Sequence, residues 1–135
     1  FVRPQFVDDD EWAWTVRREL LTDSRVVLQA SDAGAHLDMM CGAAYPTEVL
    51  AELVRERGLF TLEEMVHQLS GAPAALYGLS ELGRIAPGAR ADLVAFEADV
   101  VAPTPMQTRR DLPGGAARLH CGAVGMVSNQ TMARP

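Results

Sequence analysis

Apolar side chains near the start of the chain follow first a helical spacing and then a short continuous run. Trp12, Val16 and Leu20 recur every four residues, which predicts a helix over about residues 10–21 with an apolar stripe. The run over about residues 25–30 lacks polar alternation, as does a parallel strand that is covered on both faces. A helix, a short turn and a buried strand form half of a repeating α/β unit.

Three further helices are predicted in the first part of the chain. Apolar positions on one face predict a helix over about residues 48–57. Thr61 and Glu64 have the spacing of a capping box, so a second helix should begin there. Pro73 suits the first turn of a third, short helix that runs to about Tyr77. The expected inward positions are Val49, Leu50, Leu53 and Val54 in the first of these helices and Leu62, Met65, Val66 and Leu69 in the second.

Turn and strand signals replace the helical spacing after about residue 80. Pro87 and Gly88 predict a tight turn, and the β-rich run Leu93–Phe96 predicts a strand. Weaker short strands are predicted near residues 118–121 and 124–127. The chain is therefore expected to have two parts, residues 1–80 and residues 81–135.

The predicted strand at residues 25–30 needs neighbours on both edges, because one parallel strand cannot make a sheet. Two alternatives are open. Either the strand at Leu93–Phe96 pairs with it, or its partners lie on another chain or in a segment outside this one.

Composition narrows the classes of partner. The chain has 135 residues, a net charge of −6 and 12 basic residues, all of them Arg. An acidic chain without a basic cluster argues against nucleic acid and anionic membranes as partners. It has no apolar run of the ~18 residues that a membrane helix needs. Cys41 and Cys121 form no C-x-x-C pair, so we expect two reduced thiols in a cytoplasmic protein.

A carboxylate and an imidazole follow the predicted buried strand. The sequence there is Ser31-Asp32-Ala33-Gly34-Ala35-His36. In (β/α) barrels the catalytic residues lie at the ends of strands, which makes Asp32 and His36 candidate site residues. Ser31 lacks the G-x-S-x-G surroundings of a nucleophile, so we expect its hydroxyl to satisfy backbone groups.

Three motifs, in order along the chain, resemble the amidohydrolase superfamily, and most closely its N-acyl-D-amino-acid deacylases (D-aminoacylases). Residues 31–38 resemble the loop after the last barrel strand, and residues 73–79 the helix that leads out of the barrel. Residues 83–94 resemble the return of the chain into a small β-sandwich. The resemblance covers about residues 8–127.

The resemblance implies an α/β fold: the C-terminal piece of a (β/α)8 barrel, with its last strand and helices, followed by part of a β-sandwich. It implies a metal-dependent hydrolase of a C–N amide bond that binds one or two zinc ions and a small N-acyl amino acid-like substrate. By position, Asp32 would be the general base that shuttles the proton, and also a possible metal ligand in the intact enzyme. His36 would face the substrate or hold the loop, and Asp38 is a candidate partner for it.

The chain lacks the early His-x-His pair and the mid-barrel ligands of that superfamily, since it contains only His36, His67 and His120. We therefore expect the isolated chain to bind no metal and to be inactive. It would need the missing N-terminal barrel segment. The alternative is a non-catalytic folded module that self-associates through exposed strand edges.

The remaining candidates have structural interpretations. His67 and His120 are expected to be structural, and a zinc site made from His36, His67 and Cys41 matches no known ligand spacing. Met39, Met40 and Cys41 could line an acyl pocket or simply pack. Asp92 is expected to fix the start of the sandwich. Residues 127–130 resemble part of a further strand of the family.

Overall fold

The computed structural model describes residues 10–28, 37–38 and 41–131, with the backbone alone over 127–131. Helix α1 spans Glu11–Thr22, and Asp10 caps it by accepting a hydrogen bond from the Ala13 N–H at 2.7 Å. The helix predicted over about residues 10–21 is therefore confirmed. Its predicted stripe is wrong, because Trp12 is 73% exposed and Leu20 is also exposed, whereas Ala13 is buried.

Two longer helical stretches form the centre of the fold. The first consists of α2 (Tyr45–Val49) and a π-helical continuation, Leu50–Glu56. The second consists of α3 (Leu62–Val66), a π-helical stretch His67–Gly71 and α4 (Ala72–Leu76). The helices expected to be separate over residues 61–77 are thus consecutive.

The predicted capping box is present at the start of α3. Thr61 Oγ1 accepts a hydrogen bond from the Glu64 N–H at 3.2 Å, and Glu64 Oε2 accepts one from the Thr61 N–H at 2.7 Å. These bonds satisfy two of the amide groups that a helix start leaves without partners. The helix therefore begins where the sequence predicts.

The β part is one long hairpin whose strands pair from the outside inward. Antiparallel pairs join β1 with β6, β2 with β5 and β3 with β4. A short 3₁₀ turn at Pro113–Gly115 lies at its tip. The strands are β1 (Asp92–Phe96), β2 (Ala102–Pro103), β3 (Gln107–Arg109), β4 (Arg118–His120), β5 (Ala123–Val124) and β6 (Met126–Thr131).

The strand predicted over residues 25–30 is not found where the structure can test it. Residues 26–28 belong to no strand, and residues 29 and 30 lie outside the described residues. Strand β1 pairs with β6 instead of with this run. An apolar run alone does not distinguish a strand from a buried loop segment, and Leu28 does pack against the core.

The helices and the hairpin share one apolar cluster. Its buried members are Leu50, Leu53, Phe60, Met65 and Val101. Of the predicted inward positions, Val66 is exposed, while the other seven belong to the cluster or pack against it. Arg55 crosses between the two parts, since its Nη1 donates to the carbonyl oxygen of Val101 at 2.7 Å. No helix among the described residues is long and apolar enough to cross a membrane.

Candidate active-site segment

The two predicted site residues, Asp32 and His36, lie outside the described residues, as do Ser31, Met39 and Met40. Their positions and any pairing of His36 with Asp38 therefore stay predictions. Asp38 itself is exposed. What the structure does describe is how the chain is held on either side of this segment, at Leu28 before it and at Leu37 after it.

A glutamine side chain holds the approach to the segment. Gln68 Oε1 lies 3.5 Å from the Leu28 N–H, and Gln68 Nε2 donates to the carbonyl oxygen of Leu21 at 3.2 Å. One amide thus contacts both the end of α1 and the apolar run that follows it. The spacing of apolar residues does not single out Gln68. The available signal was a polar side chain between the inward positions Met65 and Leu69.

The exit from the segment is held by the hairpin. The Leu119 N–H of β4 donates to the carbonyl oxygen of Leu37 at 2.6 Å. Close by, Cys41 and Cys121 form a disulfide whose Cα atoms are 6.3 Å apart. The expectation of two reduced thiols is therefore wrong. The cysteines are 80 residues apart in sequence, and only the fold brings them together.

A cavity of about 290 Å³ lies beside the disulfide. Cys41 lines it, as the sequence allowed, but as half of a disulfide and not as a free thiol. The lining residues are Cys41, Ala44, Glu48, Pro103, Thr104, Pro105, Met106 and Cys121.

The described residues do not fit a metal ion. They contain no group of three His, Cys, Asp or Glu side chains that could hold one. The sulfur of Cys41 is bonded to Cys121, so it offers no thiolate to a zinc site with His36 and His67. His67 is exposed and its ring lies against Gly71, where an added Cβ would come within 2.6 Å of Nδ1. His120 is half-buried, with Nδ1 3.4 Å from Arg118 Nη1.

Ion pairs elsewhere have structural roles. Asp92 is the first residue of β1 and pairs with Arg90 at 2.8 Å, in keeping with its predicted place at the start of the β part. At the hairpin tip, Arg118 binds both carboxylate oxygens of Asp111, at 2.6 and 2.7 Å. These hydrogen bonds hold the pKa of Asp111 below its usual value.

Comparison with known proteins identifies a family over nearly the whole chain and curated relatives over part of it. Residues 4–130 match the sequence profile of the amidohydrolase family. All three of the following curated relatives come from Alcaligenes xylosoxydans xylosoxydans. An N-acyl-D-glutamate deacylase is 49% identical over 55 residues, 41% of this chain and 11% of the relative. An N-acyl-D-aspartate deacylase is 47% identical over 51 residues, 38% of this chain and 10% of the relative.

A D-aminoacylase is 43% identical over 56 residues, 42% of this chain and 12% of the relative. The chain therefore spans about a tenth of the length of these deacylases. No solved structure matches the chain.

Proposed function

The chain belongs to the amidohydrolase family, and from that membership we propose that it forms the last part of a barrel enzyme that hydrolyses the amide bond of an N-acyl amino acid. The observation that carries the proposal is the family match over residues 4–130, together with three deacylases among the relatives. The division into a barrel part, 1–80, and a sandwich part, 81–135, belongs to the same proposal, as does a cytoplasmic location.

In this proposal Asp32 is the general base. Its carboxylate takes a proton from the attacking water and passes that proton to the leaving nitrogen, a role that contributes typically ~10²–10⁴-fold in rate. His36 contacts the substrate. The anchors described above support the assignment, because Gln68 and Leu119 hold the chain on both sides of the segment that carries these residues.

Zinc, and Asp32 as a possible ligand to it, are implied by the family resemblance, and zinc would supply an activated water. The described residues do not form a site for it, so its ligands would come mainly from parts of the enzyme outside this chain. For that reason the isolated chain should be inactive.

An exposed apolar side chain on α1 supports the idea of a larger body. Trp12 is a large side chain and is 73% exposed. A neighbouring barrel segment would cover it, and the burial of its apolar surface would stabilise the assembled enzyme.

The test replaces Asp32 in the intact enzyme and measures release of free amino acid from N-acetyl-D-glutamate and N-acetyl-D-aspartate. Asp32→Asn should lower kcat by ~10²-fold or more, because the proton carrier is lost, while the metal content measured by mass spectrometry stays nearly unchanged. Asp99→Asn is the matched control, since Asp99 is exposed and the substitution removes the same charge. Full activity in Asp32→Asn would remove Asp32 from the mechanism.

The second candidate function is a non-catalytic module that self-associates through strand edges. Strand β1 favours it, because Leu93 and Val94 are both exposed on a strand whose described pairing is with β6 alone. Sedimentation equilibrium of the isolated chain distinguishes the two candidates. A tight dimer that Val94→Pro abolishes would support the module, and a monomer would exclude it.

A further inference from the structure

The Cys41–Cys121 disulfide has a place in the fold that a purely structural bridge would not need. Both cysteines are half-buried, and both line the same cavity of about 290 Å³. The bridge is therefore at a cavity wall and not in the closed apolar cluster around Met65. A thiolate must reach one sulfur along the S–S axis to open a disulfide, and accessible bridges are the ones that open readily.

The two ends of the bridge are held very differently. On the hairpin side, Thr104 Oγ1 accepts a hydrogen bond from the Gly122 N–H at 2.7 Å, and the Thr104 N–H donates to the carbonyl oxygen of Gly122 at 3.0 Å. The residue next to Cys121 is thus fixed without the bridge. Pairing of β3 with β4 fixes the residues before it.

On the other side, the hydrogen bond from the Leu119 N–H joins Leu37 to the hairpin, and it is the one such bond among the described residues. Leu37 lies four residues before Cys41, and Leu119 two residues before Cys121. The bridge therefore closes a short ring that keeps this hydrogen bond in register. Breaking the bridge would leave the hairpin end in place and would remove the covalent link beside the Leu37 hydrogen bond.

We propose that Cys41 and Cys121 form a reversible redox site, which a dithiol reductant opens and which controls whether Leu37 stays fastened to β4. A thiolate of the reductant attacks one sulfur and forms a mixed disulfide, and the other cysteine leaves as a thiolate. The second thiol of the reductant then displaces the first cysteine and becomes the reductant's own disulfide. Two electrons and two protons pass to the protein, which ends with two thiols.

The consequence for catalysis rests on the proposed function, because Leu37 directly follows the segment with Asp32 and His36. The redox chemistry of the bridge does not depend on the proposed function. Thiol titration and hydrogen-bond measurements use no enzymatic activity, so failure of one proposal is distinguishable from failure of the other.

The experiment uses the full chain and two readouts. Thiols are titrated under native conditions after oxidation with glutathione disulfide, after dithiothreitol, and after reoxidation. In the same states, nuclear magnetic resonance measures the scalar coupling across the hydrogen bond from the Leu119 N–H to the Leu37 carbonyl. The coupling from the Val101 N–H to the Glu97 carbonyl, a 2.8 Å bond inside the hairpin, is the internal reference.

We expect no free thiol in the oxidised chain, two after dithiothreitol, and none after reoxidation. The Leu119–Leu37 coupling should disappear on reduction and return on reoxidation, while the Val101–Glu97 coupling persists. A Cys41→Ser, Cys121→Ser double variant should lack the Leu119–Leu37 coupling in every state. Met106→Leu, which changes the same cavity and keeps the bridge, should behave like the original chain.

Three results would overturn the proposal. The bridge could resist native dithiothreitol. The Leu119–Leu37 coupling could survive reduction. Both couplings could vanish together, which would make the bridge a general support of the fold and not a fastener of Leu37.

Discussion

The helices over residues 45–76 and the hairpin over residues 92–131 differ in how much of their apolar surface the chain itself covers. In the helices, Met65 is fully buried and Leu50 and Leu53 are nearly so. In the hairpin, Val94 is 52% exposed, and Phe96 and Val101 are the described side chains that reach the common cluster. The helical part has the core that it needs, whereas most of the hairpin has a surface suited to a neighbour.

This difference indicates where a neighbour would lie in the proposed enzyme. A two-stranded sheet that is uncovered on both faces is only marginally stable in water. The adjacent residues Leu93 and Val94 of β1 lie on opposite faces and both are exposed, and the β-sandwich expected for the family would cover them. The free surface of α1, at Trp12 and Leu20, is the second region that a larger enzyme would bury.

The largest difference in the free energy of unfolding is expected between two methionine substitutions, one in each region. Met65→Ala should lower the free energy of unfolding by about 2–5 kcal/mol, because it removes a fully buried side chain and leaves a cavity. Met126→Ala in β6 should change it by no more than ~0.5 kcal/mol, since Met126 is 40% exposed. Urea denaturation followed by circular dichroism measures both. Equal losses would show that the hairpin is as tightly packed as the helices.

The next largest effect is expected at the link between the two regions. Arg55→Met keeps the apolar stem of the side chain and removes its hydrogen bonds to the carbonyl oxygens of Val101 and Ala98. A charged hydrogen bond contributes about 1.5–3 kcal/mol, and the part-buried setting favours the lower end of that range. Arg109→Met, on an exposed strand of the hairpin, is the control and should be nearly neutral.

The measurement for Arg55 is again the urea midpoint. If Arg55→Met and Arg109→Met lie within error of each other, the two regions do not stabilise one another through this contact. In that case the shared cluster around Val101 is the remaining link between them.

How much the sequence could predict follows the same division. The capping box at Thr61 and the inward positions around Met65 depend on residues close in sequence, and the structure confirms them. The predicted burial of Trp12 and Leu20 was wrong. Spacing shows that a helix is amphipathic, but it does not show whether a neighbour covers the apolar face. The strand at β1 was predicted, but its partner β6 begins 30 residues after β1 ends, and no local signal identifies this pairing.

Less of the candidate site than of the fold could be predicted from the sequence. Asp32 and His36 were proposed from family resemblance, and both lie outside the described residues. The groups that hold the flanking chain were not foreseen. Gln68 and the Cys41–Cys121 bridge depend on contacts over 40 and 80 residues, respectively. Such contacts are set by the whole fold, so spacing within a motif cannot predict them.

The cap of α3 tests whether one hydrogen bond stabilises the start of a helix. Thr61→Ala should cost about 1 kcal/mol, because the Glu64 N–H loses its acceptor. Thr15→Ala, in the middle of α1, is the matched substitution and should be neutral or slightly stabilising, since alanine is the better helix former. Opposite signs in thermal unfolding would confirm that the hydrogen bond, and not the threonine itself, stabilises the start of the helix. A Thr61→Ala variant that is as stable as the original chain would show that this hydrogen bond does not stabilise the helix start.

The smallest effect expected concerns two aspartates that pair with arginines, one at the hairpin tip and one just after α1. Hydrogen bonds from Arg118 lower the pKa of Asp111 at the hairpin tip, and those from Arg25 lower the pKa of Asp23 after α1. A carboxylate with a lowered pKa in the folded state adds stability above its unfolded pKa of about 3.9 and loses it as the pH falls below that value.

The Asp111 pair spans seven residues around the hairpin tip, whereas Asp23 and Arg25 are two residues apart and can meet in the unfolded chain as well. Asp111→Asn should therefore flatten the fall in thermal midpoint between about pH 5 and pH 2.5 more than Asp23→Asn does. Added salt should shrink both differences, because exposed pairs are screened. If Asp23→Asn has the larger effect, the hairpin tip is open in solution and the Arg118–Asp111 pair does not hold it.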